Sequence, residues 1–365
     1  MVAVTSGLVA AALVRCSPPA LPPGPQALPT RIVVAHGAVV SLGTRLVDRA
    51  ALVASLKELD LGTVIIESSA SADGEVVNDR VAVAIALQRD LGADVFIGGY
   101  QPRVTSGTKM EALLEKDPTF SRCYPTGPEL DPETSVIDKI RRCSQDVSKR
   151  IADALDAAHA NEHVGCFITY GPELTAALSA EGRRALRELL RDSAGPCAAA
   201  KRFVGISPLL TTHAADPDAT GVFFRESLQD SGVNYLMLQD GVGTFDPKRP
   251  RRAVPFYQGL RNAFADREPT VHVWSNVEAF DCEPVDGGPP SCIHTHPTTG
   301  PQLIDRMCSA RARVDGIVTT EYLSDLGGVA LSPVELDAST DADIDASTQL
   351  HRALVDWTDA GAPCP

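Results

Sequence analysis

The stretch Thr270-Val-His-Val-Trp-Ser-Asn-Val-Glu-Ala-Phe280 decides the fold of this chain. Side chains alternate across a β-strand, so valines fall on one face of this stretch and polar or aromatic side chains on the other. The second face carries His272, Trp274, Asn276 and Glu278. A strand of a parallel barrel is covered on both faces, by helices outside and by packed side chains inside. The stretch therefore predicts a barrel strand that presents chemistry at its C-terminal end. The alternative is a buried, hydrogen-bonded polar cluster without chemistry.

Strand-like and helix-like segments alternate along the rest of the chain. The other strand candidates are Arg31–Val40, Thr63–Ser69, Asp94–Tyr100, Val164–Tyr170, Arg202–Leu210, Asn234–Asp240 and Gly316–Tyr322. Alternating strands and helices imply βα units and a parallel sheet, and eight such units predict an α/β fold of the (β/α)8 TIM-barrel type. An open doubly wound sheet is the structural alternative. It would need a Gly-rich phosphate turn after the first strand, which His36-Gly37-Ala38 does not supply.

The N-terminal region differs in composition from the rest. Residues 1–16 contain a short apolar run that resembles a truncated export signal, and Cys16 after it is compatible with a lipoprotein. The run is too short to span a bilayer. Residues 17–30 are Pro-rich and predict an extended linker. Residues 31–360 are then one barrel domain, which ends in a helix over Ser347–Thr358.

The charge and cysteine content restrict the class of protein. The 365 residues carry a formal net charge of −14, which disfavours nucleic acid and anionic membranes as partners. Nine cysteines predict a secreted, periplasmic or extracellular protein, because disulfides persist in oxidising compartments. Two pairs bracket loops and are predicted to be bonded, Cys123 with Cys143 and Cys282 with Cys292. Cys166, within a strand, is expected to be a plain core thiol.

Carboxylates at the C-terminal ends of strands are the candidates for chemistry. They are Glu67, Glu173, Asp240, Glu278 and Glu321. Hydrolysis of a glycosidic bond needs two carboxyl groups that flank it, one as an acid and one as a nucleophile or base. Strands four and seven lie on opposite sides of an eight-stranded ring, so Glu173 and Glu278 are predicted to be the catalytic pair. The structural alternative for Glu173 is a helix N-terminal residue that the helix dipole favours.

Three motifs resemble those of a bacterial family, the domain of unknown function 4434, described as a glycoside-hydrolase-like TIM barrel. They are Leu238-Gln-Asp-Gly-Val-Gly243, Trp274-Ser-Asn-Val-Glu-Ala-Phe280 and Tyr170-Gly-Pro-Glu173. The resemblance covers roughly residues 31 to 326. It implies a barrel with a role related to sugars, and it supplies no specific reaction.

The hypothesis from the sequence is a secreted glycosidase that acts on an oligo- or polysaccharide without a metal or cofactor. The expected substrate-binding residues are Asn276, Trp274, His272, Asp240, Gln239, Tyr170, Tyr100, Glu67, Glu321, Tyr322 and His36. His294 and His296 are expected in a solvated loop, because a metal site needs a third ligand. The alternatives are a non-catalytic glycan-binding barrel and a metal-dependent hydrolase on the same scaffold. The sequence leaves the sugar, the linkage and the oligomeric state open.

Overall fold

A computed structural model of the chain describes residues 32–35, 49–59, 62–66, 74–99, 132–168, 180–210, 216–245, 249–267, 270–283, 291–320 and 341–364. The strands are β1 (Ile32–Ala35), β2 (Thr63–Ile66), β3 (Asp94–Gly99), β4 (Val164–Ile168), β5 (Val204–Ile206), β6 (Tyr235–Gln239), β7 (His272–Glu278), β8 (Phe280–Glu283), β9 (Ser291–Pro297) and β10 (Gly316–Thr320). The helices are α1 (Arg49–Glu58), α2 (Gly74–Leu91), α3 (Pro132–Ala157), α4 (Ala180–Ala199), α5 (Pro217–Ser227), α6 (Val242–Phe245), α7 (Val254–Phe264), α8 (Gly300–Arg311) and α9 (Asp341–Asp359).

Eight parallel strands close into a barrel in the order β1-β10-β7-β6-β5-β4-β3-β2. The ring closes where Val33 of β1 pairs with Thr319 of β10, while β1 pairs with β2 on its other side. Helices follow the strands in the alternating pattern of a βα repeat. The predicted (β/α)8 fold is therefore confirmed, and the open-sheet alternative is excluded.

Alternation along the strands separates two layers of apolar side chains. One parity fills the inside of the barrel, with a cluster made of Ile65, Phe96, Phe167, Met237 and Val318 and bordered by Phe203, Tyr235 and Trp274. The other parity packs outward against the helices, as Val273 and Val277 of β7 do. Both faces of β7 are thus covered, which is the arrangement that its sequence predicts.

Some segments differ from their sequence-based prediction. The segment after β7, expected to be a Gly/Pro-rich loop, includes an antiparallel hairpin of β8 and β9. His296 therefore lies in a strand, opposite Asp281, and is half-buried rather than solvated. His294 is in the same strand. The strand after α4 is shorter than expected and ends at Ile206.

Two disulfides tie helices to their surroundings. Cys166 of β4 is bonded to Cys197 of α4, so the expectation of a plain thiol at Cys166 is wrong. The two cysteines are 31 positions apart in the sequence, so local spacing does not reveal their pairing. Cys308 of α8 is bonded to Cys364 near the C-terminal end of the chain.

The two other predicted pairings stay predictions. Cys282 is disulfide-bonded, but the side chain of Cys292 is not among those described. Cys123 likewise lies outside the described residues, and so does the side chain of Cys143. Among the helices that the structure describes, none combines the length and apolar character needed to cross a bilayer.

Helix α8 matters for the site because it supports the end of β7 from outside. The helix begins with a capping box, in which the Thr299 N–H donates to the Gln302 side chain at 3.2 Å. Its buried face includes Leu303, Met307 and Arg306. An arginine on the apolar face of a helix is unusual, because a buried charge needs a partner.

Candidate active site

The candidate site lies where β6 and β7 end side by side. Gln239, the last residue of β6, pairs with Asn276, so β7 continues for two more residues to Glu278. Glu278 has the same parity as Trp274, which packs inside the barrel, and its side chain is therefore directed inward. The C-terminal ends of the strands form the face on which barrel enzymes carry out their chemistry. At this end the side chain of Glu278 is 0% exposed.

The carboxylate of Glu278 accepts hydrogen bonds at both of its oxygens. The hydroxyl of Thr244 donates to Oε1 at 2.6 Å, and the N–H of Thr244 donates to Oε2 at 2.7 Å. The amide of Gln239 adds a third hydrogen bond to Oε1, at 2.9 Å. These contacts fix the orientation of the carboxylate and offset part of its desolvation penalty.

Asp240 follows β6 and occupies a turn. The strand ends at Gln239, and Gly241 adopts a φ of +61°, a conformation that favours glycine. The Oδ1 atom of Asp240 accepts from the N–H of Val242 at 3.1 Å and from the N–H of Glu278 at 3.4 Å. Asp240 is only 2% exposed, so it stands beneath α6 rather than at an open surface. Its two N–H contacts connect the beginning of α6 with the end of β7.

The two neighbouring carboxyl groups have perturbed pKa values. Burial, and then the charge of Glu278, raises the pKa of Asp240 to about 7. Burial also raises the pKa of Glu278, while hydrogen bonds from Thr244, the charge of Arg306 and the hydrogen bond from Gln239 act in the opposite direction. Two carboxylates that repel each other in a dry environment take up a proton more readily than isolated ones. A proton can therefore be held at this pair near neutral pH.

Arg306 supports the same strand end from α8. Its Nη1 donates to the carbonyl oxygens of Glu278 at 2.7 Å and Phe280 at 3.2 Å. Its Nη2 forms an ion pair with Asp281. Arg306 is 1% exposed, so the cation joins β7 to the hairpin from within the protein. Its charge also lowers the pKa of Asp240 and of Glu278.

Asn276 lies one layer below Glu278 on the inner face of β7. Its amide donates to the hydroxyl of Ser207 at 2.8 Å, in the segment that follows β5, the second strand along the ring from β7. Both residues are buried. The inner polar side chains of β7 thus find partners inside the barrel, as buried polar groups require.

His272 and Trp274 belong to a different layer from Glu278. The ring of His272 stacks on Tyr235, the first residue of β6, with 4.9 Å between centroids. Trp274 contacts the same ring at 5.0 Å and Phe96 at 6.3 Å. With a rise of about 3.3 Å per residue, His272 is about 20 Å and Trp274 about 13 Å from Glu278 along the strand. His272 and Trp274 were expected to contact the sugar. The structure instead places both in the aromatic packing inside the barrel, toward the N-terminal ends of the strands.

The structure brings Gln239, Asp240, Asn276 and Glu278 together. The remaining site residues expected from the sequence lie outside the described residues, and their roles stay predictions. They are Glu173, Tyr170, Tyr100, Glu67, Glu321, Tyr322 and His36.

Sequence reasoning missed three residues that contact the cluster: Thr244, Ser207 and Arg306. Thr244 carried a signal, since it follows Gly241 and Gly243 directly after the strand-six motif. Arg306 carried a weaker one, as a charge on the apolar face of a predicted helix. Within the part of the chain that the structure describes, no group of three or more His, Cys, Asp or Glu side chains could hold a metal ion.

Comparisons with known proteins find similarity of fold only. No protein-family profile matches the sequence, and no curated protein matches it either. The chain is similar in structure to glycoside hydrolase GH5_18 from Bifidobacterium longum, with a TM-score of 0.54 and 12% identity, over 92% of this chain and 81% of that chain. It is also similar to GH5_18 from Streptomyces cattleya in complex with GlcNAc, with a TM-score of 0.51 and 13% identity, over 93% and 82% of the two chains.

A third similar structure is the GH5-4 broad specificity endoglucanase from Clostridium acetobutylicum. The TM-score is 0.51 at 13% identity, over 89% of this chain and 97% of that chain. At such identities the likeness shows the fold, an α/β barrel. The reaction has to be argued from the residues of this chain.

Proposed function

We propose that this protein is a secreted glycoside hydrolase that cleaves a glycosidic bond in an oligo- or polysaccharide. The observation that carries the proposal is the carboxylate of Glu278, held on the inner face at the C-terminal end of β7. A second carboxyl group, that of Asp240, lies beside it. The barrel that holds them has the architecture of glycoside hydrolases.

In this proposal Glu278 is the nucleophile or base, and Glu173 is the general acid. The acid must stay protonated until the leaving oxygen departs, which requires a raised pKa. A separation of about 5 Å between the two carboxyl groups would give retention, and about 6.5–9.5 Å would give inversion. The donors on Glu278 suit a nucleophile, because they hold its oxygens in one direction throughout the reaction.

A second candidate function is a barrel that binds glycans without cleaving them. The complete burial of Glu278, with donors on both oxygens, favours it. A buried carboxylate with both oxygens hydrogen-bonded stabilises the end of β7. A substrate could reach the Glu278 oxygens only if the residues that cover them moved. Both candidates keep the sugar at the C-terminal face of the barrel.

Hydrolysis of a panel of bacterial and plant polysaccharides by the wild-type protein and by Glu278→Gln tests the proposal. The amide keeps the shape and removes the negative charge, so turnover should fall by about 10³-fold or more. Glu226→Gln is the matched control, because Glu226 is exposed on α5. Equal turnover by Glu278→Gln and the control would refute the catalytic role. Binding to a polysaccharide without turnover by the wild type would favour the second candidate.

Secretion rests on the disulfides Cys166–Cys197 and Cys308–Cys364. Such bonds are rare in reducing compartments. Detection of the protein in the culture medium or the periplasm of the producing cells, with both bonds intact by mass spectrometry, is the expected result. Fully reduced cysteines in protein isolated from its native compartment would contradict it.

A further inference from the structure

We infer that Thr244 is a positioning residue that holds the Glu278 carboxylate in its charged, oriented form. The inference rests on the proposed function, because a fixed and ionised Glu278 is what a nucleophile or base requires. Thr244 itself needs no contact with the substrate. It acts through Glu278.

The geometry of Thr244 is that of a two-point clamp. Its hydroxyl and its N–H donate to different oxygens of Glu278, at 2.6 Å and 2.7 Å. A carboxylate held at both oxygens cannot turn about its last C–C bond without breaking a hydrogen bond. Thr244 is 7% exposed, so water competes little for these donors. Hydrogen bonds to an ionised acceptor are about twice as strong as those between neutral groups.

The chain around Thr244 is shaped so that the clamp can reach its target. A Cβ added at Gly243 would lie 1.8 Å from the carbonyl oxygen of Phe280 and 3.2 Å from Oε2 of Glu278. Glycine at this position therefore allows α6 to rest directly on the end of β7. The left-handed turn at Gly241 and the contact from Val242 to Asp240 direct the chain into this position.

Several charged or titratable groups influence the same carboxylate. Asp240 lies after β6, Arg306 projects from α8, and Tyr257 of α7 is fully buried nearby, with its hydroxyl 2.6 Å from the Ser275 hydroxyl. Asp240 repels a charge on Glu278, and Arg306 attracts it. The hydrogen bonds from Thr244 oppose the burial that raises the pKa of Glu278. Thr244 itself is uncharged. Replacing it should therefore change the ionisation of Glu278 without altering the charge of the substituted residue.

Thr244→Val tests the inference, because valine has nearly the same shape and lacks the hydroxyl. Urea unfolding of the full-length protein is measured at about pH 4 and about pH 8. If Thr244 stabilises the anion, the loss in the folding equilibrium constant should be about tenfold greater at the higher pH, because the ionised fraction of Glu278 rises with pH. Thr244→Ser, which restores the hydroxyl, should remove this pH dependence. A loss of equal size at both pH values would overturn the inference. If the valine variant does not fold, Thr244→Ala serves for the same comparison.

A double-mutant cycle with Glu278→Gln checks that the effect passes through Glu278. In that background, Thr244→Val should lose its extra effect at about pH 8. Persistence of the effect would overturn the inference. Once a substrate is known, kcat/KM of Thr244→Val at neutral pH should fall by about 10- to 100-fold. The acid limb of its pH–rate profile should shift to higher pH. The unfolding measurement needs no turnover, so failure of the clamp and failure of the glycosidase proposal are distinguishable.

Discussion

Replacement of Asp240 by asparagine should change how the stability of the protein depends on pH. The side chain is 2% exposed, and burial together with the charge of Glu278 raises its pKa from 3.8 to about 7. The amide keeps an oxygen for the N–H groups of Val242 and Glu278, so the turn has no need to rearrange. The substitution therefore isolates the effect of the charge.

The sign and size of the effect follow from proton linkage. An acid whose pKa is raised by folding binds its proton more tightly in the folded state, so its stabilising contribution is complete below the unfolded pKa. That contribution is lost as the pH rises from about 4 to about 7. Each pKa unit is worth about 1.4 kcal/mol, so the change to about 7 corresponds to a loss on the order of 4 kcal/mol. Asp240→Asn should lack this loss, and ionisation of Glu278 should also become easier.

The measurement is the free energy of unfolding in urea between about pH 4 and about pH 8. The wild type should lose stability over this range by on the order of 4 kcal/mol more than Asp240→Asn does. Asp345→Asn provides the control, because Asp345 is exposed on α9. It should follow the wild-type curve. Parallel curves for the wild type and Asp240→Asn would refute the account of a buried acid that holds its proton near neutral pH.

Three further substitutions have expected effects on stability. Gly243→Ala should lower the free energy of unfolding by at least about 2 kcal/mol in urea unfolding, because the added Cβ would lie 1.8 Å from the carbonyl oxygen of Phe280. Arg306→Met should destabilise by about 3–5 kcal/mol in urea unfolding, since it removes the donor to the carbonyl oxygens of Glu278 and Phe280 and the ion pair with Asp281. Replacing Cys166 and Cys197 together by alanine should lower the free energy of unfolding by about 3–4 kcal/mol, and an unchanged urea midpoint would contradict this.

The architecture could be predicted from the sequence because its signals are local and repeated. The alternation in β7 defines both faces of one strand, and valines and polar residues fall where the barrel needs them. The same alternation could not distinguish the aromatic layer around His272 from the candidate site around Glu278, because both residues lie on the inner face of β7. Height along the barrel axis emerges only from the register between neighbouring strands.

The contacts that shape the site were harder to predict because they join distant parts of the chain. Thr244 and Glu278 are 34 residues apart, and Arg306 reaches the carbonyl oxygen of Glu278 from 28 residues away. Spacing carries no information about such pairs, and neither does the composition of either segment. The disulfide from Cys166 to Cys197 escaped prediction for the same reason.

The bond between Cys308 and Cys364, which are 56 positions apart in the sequence, closes a covalent loop that includes α9. Next to it, the Trp357 indole donates to the carbonyl oxygen of Pro363 at 2.7 Å, which holds the tail against α9. A protease that cuts the backbone anywhere inside this loop would leave both pieces on one molecule. Denaturing electrophoresis of the nicked protein should therefore give a single band until a reductant separates the fragments, and a cut before α9 would leave this closing helix covalently attached to the barrel.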